Sequence, residues 1–295
     1  MPENVPAVHT TKVPPISLSR RLKDRMMTGL AVLTVFIVLA PLVAIFGYLV
    51  YRGAGSISWS FLTHMPKPVG EPGGGMANAI VGSIMILGIA SIIGVPFGIG
   101  AGIYLSEFGR NRLGSVIRFT ADVLNGVPSI VIGIVGYAIV VLYQHHFSAL
   151  AGGAALSIMM VPTICRTTEE MLLLVPQALR EAAYGLGVPR WRTTLSIVLR
   201  TATSGVITGV MLAFARIAGE TAPLLFTTLG NQFWNLRYDQ PTAALPLQIY
   251  VYANSAYQDW HRQAWAGSFV LIVLIVTSVA AVRYVVRRGT LGGTA

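Results

Sequence analysis

Two charged residues, Arg216 and Glu220, lie in an otherwise apolar stretch from about residue 203 to residue 226. Arg216 lies 13 positions past the start of the stretch, about 20 Å along a helix that rises about 1.5 Å per residue. A charge at that depth in a bilayer costs about 2.5–3.5 kcal/mol on insertion scales and usually faces a bundle interior or a pathway. The i, i+4 spacing predicts that the two side chains share one helix face and pair.

This pair has two interpretations. In the first, Arg216 contacts an anion on a transport path, because the planar guanidinium donates two parallel hydrogen bonds to phosphate. Glu220 then lowers the affinity so that the anion can leave again. In the second, the two residues form a structural salt bridge that faces a neighbouring subunit. The sequence leaves both interpretations open.

Residues 176–200, PQALREAAYGLGVPRWRTTLSIVLR, form the one long polar segment between apolar stretches. Pro176 suits a first helical turn, and Pro189 can start a second helix because its missing N–H has no partner there anyway. Gly185 and Gly187 lie between them, where a helix C-terminus often requires glycine. The pattern predicts a helix, a sharp turn and a second helix, with the general alternative of a surface amphipathic helix.

The composition is that of an integral membrane protein. The 295 residues are 54% hydrophobic and only 11% charged, where about a quarter charged is usual, and the mean hydropathy is +0.67. The net charge of +10 does not indicate nucleic-acid binding, because the basic residues lie at the ends of apolar stretches. The single cysteine, Cys165, excludes an intramolecular disulfide and a cysteine-based zinc site.

Six apolar stretches are long enough to cross a bilayer. The predicted spans cover residues 29–51, 76–106, 123–143, 149–165 with continuation toward 174, 203–226, and 263–283. Residues 1–25 are expected to form a short disordered tail, and the first span is expected to act as the insertion signal. The loops at 52–75 and 227–262 lie on one side of the membrane, and the loop at 176–200 lies on the other.

The distribution of basic residues predicts the orientation. Sixteen of the 21 Lys and Arg residues lie in the two tails and in the loops at 107–122 and 166–200. The positive-inside rule therefore predicts that both termini are cytoplasmic in a multi-pass protein of the cytoplasmic membrane. Four of the five tryptophans fall near the opposite face, as expected of an aromatic belt, namely Trp59, Trp234, Trp260 and Trp265.

Glycine and proline are frequent within the spans. Glycines spaced by four occur at 94, 98 and 102 and again at 205 and 209, and such spacing lets helices approach closely. Prolines at 96, 128, 162 and 223 can kink the spans. These features indicate either ordinary membrane packing or a bundle that rocks between inward-open and outward-open states.

Other polar residues are assigned no chemistry. His145 and His146 are predicted to lie in a turn on the outer side. Asp122 is expected at the start of the third span, where the helix dipole favours an acid. Glu169 and Glu170 are expected to face solvent or a cytoplasmic partner. We expect no metal site and no cofactor.

The polar segment resembles the EAA loop of ABC importer permeases. Glu181-Ala182-Ala183 is followed after three residues by Gly187, and after nine more by Ile197 and Leu199. The family pattern usually ends in proline, where this chain has Arg200. The resemblance implies that this loop is a cytoplasmic coupling helix in a cleft of an ATPase subunit, with Glu181, Ala182, Ala183 and Gly187 as the coupling residues.

Four further stretches resemble the permeases of phosphate-specific ABC importers, the Pst type. They are AFARIAGETAPLLF at 213–226, NGVPSIVIGI at 125–134, GIYLSEFG at 102–109 and ANAIVGSI at 77–84. The stretch at 166–187 is similar to the A-type rather than the C-type permease. Together the matches lie within residues 76–228, roughly half the chain.

The resemblance implies an all-α integral membrane protein of the type I ABC importer permease fold. The implied layout is a tail at 1–25, a first span and outer loop at 26–75, a transmembrane domain at 76–288 and a tail at 289–295. The implied partners are a C-type permease in a heterodimer, two copies of a cytoplasmic ATPase, an extracytoplasmic phosphate-binding protein, phosphate and membrane lipid, with no nucleic acid. Residues matching Arg216 and Glu220 are linked to transport in that family.

The chain itself is not expected to be an enzyme, because no Gly-Lys-Ser/Thr sequence of a phosphate-binding loop occurs in it. Three alternatives to a phosphate permease remain open. One is an ABC permease for another oxyanion such as molybdate or sulfate. The second is an ATP-independent transporter or channel, which would predict inverted repeats. The third is a scaffold or sensor role added to transport.

Overall fold

The structure of the chain, a computed structural model, describes residues 17–68, 71 and 73–291. Within these residues it consists of helices and loops, with an isolated bridge between Leu229 and Thr242. The chain divides into two compact units, Met1–Val50 and Tyr51–Ala295.

Helix α1, Leu18–Ala54, forms the described part of the first unit and extends just past its boundary. It begins earlier than the predicted span, so Arg20, Arg21, Lys23 and Arg25 are helical rather than part of a disordered tail. Residues 1–16 of that predicted tail lie outside the described residues. Nearly every side chain from 26 to 50 is exposed, so this apolar helix needs lipid or another protein around it.

The second unit contains the remaining helices. They are α2 (Trp59–Thr63), α3 (Ala77–Glu107), α4 (Arg112–Gly126), α5 (Ser129–Gly136), α6 (Leu142–Gln144), α7 (Ala149–Leu173), α8 (Gln177–Gly185), α9 (Arg190–Thr193), α10 (Leu199–Ala218), α11 (Ala222–Thr227), α12 (Leu245–Ala253) and α13 (Gln258–Leu291). Two wider π-helical turns, Tyr137–Val141 and Thr194–Val198, join α5 to α6 and α9 to α10. Helices α9 and α10 thus form one continuous run, Arg190–Ala218.

Among the described residues, five helices are long and apolar enough to cross a membrane. A bent pair makes a sixth if it is counted as one span. The prediction of an all-α protein with six spans is confirmed in this form. Most of the predicted boundaries lie inside the observed helices, because the helices continue into their polar flanks.

The third span differs from its prediction. Instead of one helix over 123–143, the pair α4 and α5–α6 bends by 108° between Gly126 and Ser129. Pro128 is the residue before α5, and the residue before a proline is disfavoured in the helical region. Asp122 therefore lies near the C-terminal end of α4 and not at a helix start.

Helix α7 is the centre of the second unit. The glycines at 94, 98 and 102 line the face of α3 against it, and a Cβ atom added to Gly98 would lie 2.6 Å from Cβ of Ile164. On another face of α7, added Cβ atoms at Gly205 and Gly209 of α10 would collide with Met171 and Thr167. The prediction that these glycines allow close helix contacts is confirmed.

Candidate functional site

Arg216 lies in the last turn of α10, which ends at Ala218. Gly219 follows as the C-terminal cap, and Pro223 lies in the first turn of α11. Because proline has no N–H, it cannot support a helix that continues from the preceding turn. The predicted fifth span is therefore interrupted at residues 219–221, a break that contains Glu220.

The interruption separates the two predicted site residues. Glu220 lies beyond the end of α10, and its backbone N–H donates to the carbonyl of Ile217 over 3.2 Å. The predicted Arg216–Glu220 ion pair is wrong, because the i, i+4 geometry requires a helix that continues through residue 220. Across the described residues, neither side chain has a hydrogen bond or an ion pair, and that of Arg216 is exposed.

The two interrupted spans pack against each other just past their breaks. A Cβ atom added to Gly133 of α5 would lie 2.7 Å from Cα of Pro223 in α11. Close to the first break, the hydroxyl of Thr163 in α7 donates to Oδ1 of Asn125 over 3.0 Å. Irregular backbone at membrane depth is tolerated where it is buried in protein or lines a water-filled cavity. The first break is thus flanked by a polar contact between α4 and α7, and the second by close packing of α11 on α5.

The polar segment at 176–200 folds as predicted, into a helix, a turn and a second helix. Pro176 caps α8, and Pro189 caps α9. Between them, the N–H of Val188 donates to the carbonyl of Ala183 over 3.0 Å, and that of Gly187 to Tyr184 over 2.9 Å. These two bonds form a Schellman motif, which requires a left-handed residue, and Gly187 has a φ of 76°.

The exposed face of this segment is mixed in character. Glu181 and Ala182 are exposed, as a docking surface requires, but Ala183 is only 3% exposed and packs into the chain. Two apolar side chains on the same segment remain largely exposed, Leu186 at 84% and Trp191 at 64%. Exposed apolar side chains of this size, together with charged neighbours, are typical of a protein interface.

Arg180, immediately before Glu181, is buried and ion-paired. Its Nη2 atom lies 2.9 Å from Oε1 of Glu107, and the two side chains are 8% and 9% exposed. The same guanidinium donates to the carbonyls of Leu172 (2.9 Å) and Val175 (2.7 Å), at the end of α7. Sequence reasoning missed this contact, because Glu107 and Arg180 are 73 positions apart.

A second charged cluster surrounds Glu169. Its Oε1 atom accepts from Nε of Arg118 over 2.6 Å, and its Oε2 atom accepts from Nη1 of Arg166 over 2.8 Å. Arg166 also lies 3.0 Å from Asp122. The expectation that Glu169 faces solvent or a partner is wrong, because its side chain is 4% exposed. Glu170 is exposed, as expected.

The predicted loop at 227–262 is an ordered structure that includes α12. Asn78 of α3 donates to the carbonyl of Asn231 over 2.7 Å, and Nδ2 of Asn231 donates to Pro241 over 3.1 Å. In the same loop, Arg237 donates two hydrogen bonds to Asp239, which lower the pKa of that carboxyl below its ordinary value. A cavity of about 270 Å³ lies between this loop, α11 and α12.

Comparison with known proteins assigns the chain to a family. Residues 94–290 match the profile of the family described as "Binding-protein-dependent transport system inner membrane component". A protein of Yersinia pestis named "Phosphate transport system permease protein PstA" is 47% identical over 266 residues, which are 89% of this chain and 90% of that protein. The chain belongs to the PstA permeases of this family. A PstA 1 permease of Mycobacterium tuberculosis (strain H37Rv) is 35% identical, over 93% of this chain and 92% of its own length.

A solved structure has the same fold. The chain of an inward-facing MetNI methionine ABC transporter matches the permease with a TM-score of 0.57 and 17% identity, over 75% of the permease and 98% of that chain. The resemblance to A-type permeases and the prediction of a type I ABC importer permease fold are both confirmed. The permease is a multi-pass membrane protein and a transport component.

Proposed function

We propose that the chain is the permease subunit of an ATP-driven importer that carries inorganic phosphate across the cytoplasmic membrane. The observation that carries the proposal is the 47% identity, over most of both chains, to a protein named as a phosphate transport system permease. The chemistry of the site agrees with an oxyanion substrate. The guanidinium of Arg216 has no partner among the described residues and can bind phosphate through two parallel hydrogen bonds.

Arg216 and the interrupted spans support a path through the second unit. The exposed Arg216 lies on the turn of α10 just before the break at 219–221. Where a span is broken, backbone N–H and carbonyl groups lose their helical partners and can bind water. A polar substrate can take the place of that water. We assign Arg216 to the path as the anion contact. Glu220 lies in the break without pairing to Arg216, and its negative charge keeps the affinity for the anion low enough for release.

The segment at 176–200 is proposed as the coupling element. In this proposal Glu181, Ala182 and the exposed Leu186 and Trp191 dock on a cytoplasmic ATPase, and Gly187 shapes the turn between the two helices. Ala183 is buried, so it packs α8 against the rest of the chain and does not contact the ATPase. The absence of a Gly-Lys-Ser/Thr sequence leaves ATP hydrolysis to that partner.

The orientation and the remaining partners follow from the same proposal. Both termini and the coupling segment lie in the cytoplasm, on the side that carries most Lys and Arg residues. A C-type permease completes a heterodimer, two ATPase subunits bind the cytoplasmic face, and an extracytoplasmic binding protein delivers phosphate to the loops at 52–75 and 227–262. Closure of the ATPase pair on ATP opens the bundle outward, and hydrolysis returns it to the inward-open state.

The test is uptake of radiolabelled phosphate by cells that contain or lack this chain. We expect uptake that depends on the chain, is lost when ATP is depleted, and is not reduced by an excess of sulfate or molybdate. Full competition by either anion would show that the substrate is another oxyanion, and the coupling proposal would remain intact. Chain-dependent uptake that survives ATP depletion would indicate an ATP-independent transporter and contradict the proposal.

A further inference from the structure

Helix α8 is attached to the rest of the chain at two buried residues, Arg180 and Ala183. Its other side chains are exposed. Ala183 contributes only a methyl group, whereas Arg180 makes four hydrogen bonds, two to Glu107 and one each to the carbonyls of Leu172 and Val175. Arg180 is therefore the principal polar connection between α8 and the bundle.

Arg118, in α4, makes the reciprocal contacts to α3 and α7. It donates to the carbonyls of Leu105 (3.0 Å) and Gly109 (2.9 Å) at the end of α3, and it pairs with Glu169 of α7. Arg180 does the reverse, because it binds carbonyls at the end of α7 and pairs with Glu107 of α3. Each helix end is thus capped by an arginine that is held by an acid on the other helix.

This double linkage has a mechanical consequence. The last carbonyls of a helix have no partner within that helix. Arg180 binds such a carbonyl of α7 at Leu172 and Arg118 one of α3 at Leu105, and each also binds a carbonyl just past the helix end. Separation of α8 from α3 would leave the buried Arg180 and Glu107 uncompensated, which is strongly unfavourable. Separation of α8 from α7 would break the two hydrogen bonds of Arg180 to carbonyls. The ends of α3 and α7 and the start of α8 therefore tend to move together.

We propose that Arg180 and Glu107 are positioning residues that transfer the displacement of α8 to the ends of α3 and α7. The proposal rests on the proposed function, in which α8 moves with an ATPase subunit. It extends the coupling site from the exposed Glu181 and Ala182, which contact the partner, to a buried pair that contacts only this chain. Arginine is required because only its fork reaches the carboxylate and both carbonyls at once.

The test uses the complete transporter, with its partner permease, ATPase and binding protein, in proteoliposomes loaded with ATP. The readout is the amount of phosphate transported per ATP hydrolysed. Arg180→Lys keeps the charge but loses the fork, and Glu107→Gln keeps the shape but loses the charge. For each we expect the ratio to fall about tenfold, within the range that coupling energies allow. The double variant should be no worse than the worse single variant, because both act on one linkage.

Arg110→Gln is the matched control, because Arg110 is exposed and its substitution removes one positive charge near the same helix end. We expect it to leave the ratio unchanged. A merely structural pair would reduce the amount of assembled transporter without changing the phosphate moved per ATP by what remains, and that outcome would overturn the proposal. If Arg180→Lys does not assemble, Glu107→Gln decides the question.

Gly187→Val in the same vesicles distinguishes a failure of the Arg180–Glu107 linkage from a failure of the coupling role of residues 176–200. If Gly187→Val uncouples transport while the Arg180 and Glu107 variants keep the normal ratio, the linkage proposal fails and the coupling segment stands. If Gly187→Val and the two linkage variants all keep the normal ratio, the coupling role of residues 176–200 fails as well.

Discussion

Oε1 of Glu169 lies 2.6 Å from Nε of Arg118, although the two residues are 51 positions apart in the sequence. Glu169 is nearly fully buried, and its second oxygen binds Arg166. The carboxylate thus bridges two guanidinium groups at the junction of α4 and α7. Glu169 is the buried member of this cluster, and the two guanidinium groups compensate its charge while remaining about a third exposed.

Replacement of Glu169 by glutamine should therefore destabilise the protein. We expect Glu169→Gln to lower the free energy of unfolding by about 1.5–3 kcal/mol, the size of the charge-assisted hydrogen bonds that it weakens, because the two arginines left behind are about a third exposed. Thermal unfolding of the purified protein in detergent measures the effect. Glu170→Gln, at the exposed neighbouring position, should change it little. Equal effects at the two positions would contradict the assignment of stability to the buried cluster.

The close contact between α3 and α7 predicts a second stability effect. A Cβ atom at Gly98 would lie 2.6 Å from Cβ of Ile164, whereas a Cβ atom at Gly100 would meet nothing within 4 Å. We expect Gly98→Ala to destabilise the protein by about 1–3 kcal/mol, as overpacking does. Gly100→Ala, on the same helix, should be neutral or slightly stabilising. The same unfolding measurement compares the two, and a harmless Gly98→Ala would show that the helices separate easily.

The turn between α8 and α9 predicts that phosphate uptake depends strongly on the residue at position 187. Gly187 has a φ of 76°, a conformation that is strained for β-branched residues and tolerated by asparagine. We expect Gly187→Val to abolish phosphate uptake and Gly187→Asn to retain most of it. Gly185→Ala is the control, because Gly185 is helical and an added Cβ atom meets nothing within 4 Å.

Copurification of the ATPase subunit with each of these variants locates the defect. Loss of uptake with the ATPase still bound would place Gly187 in the transfer of motion, and loss of both would place it in docking. Normal uptake and normal ATPase binding by Gly187→Val would contradict the coupling assignment.

Arg216 predicts a defect in transport without a defect in assembly. Arg216→Gln should abolish phosphate uptake, while the amount of variant that copurifies with the partner subunits stays normal. Arg283→Gln, which removes an exposed arginine from α13, should keep uptake. Loss of assembly by Arg216→Gln would instead support a structural contact with a neighbouring subunit.

A double variant tests whether Arg216 and Glu220 act independently. Since the two side chains are not paired, Glu220→Gln should not restore uptake to Arg216→Gln. Rescue by the second substitution would show that the two charges balance each other directly, as residues in contact do.

The sequence alone was sufficient for the features that depend on local signals. The apolar stretches predicted the spanning helices, because hydropathy over about 20 residues is a property of a single segment. The turn at Gly187 and the start of α9 after Pro189 were predicted from residue types whose backbone preferences act within one turn. The resemblance in residues 76–228 predicted the family for the same reason, since each motif is a short contiguous stretch.

The tertiary structure decided which charges meet. The Glu107–Arg180 and Arg118–Glu169 pairs join residues 73 and 51 positions apart, and no local pattern specifies such contacts. The expected Arg216–Glu220 pair failed for the related reason that helical spacing was assumed to continue where α10 ends at Ala218. An ion pair requires two side chains to be placed together, and that placement is set by how α3, α4, α7 and α8 pack, which a single segment does not determine.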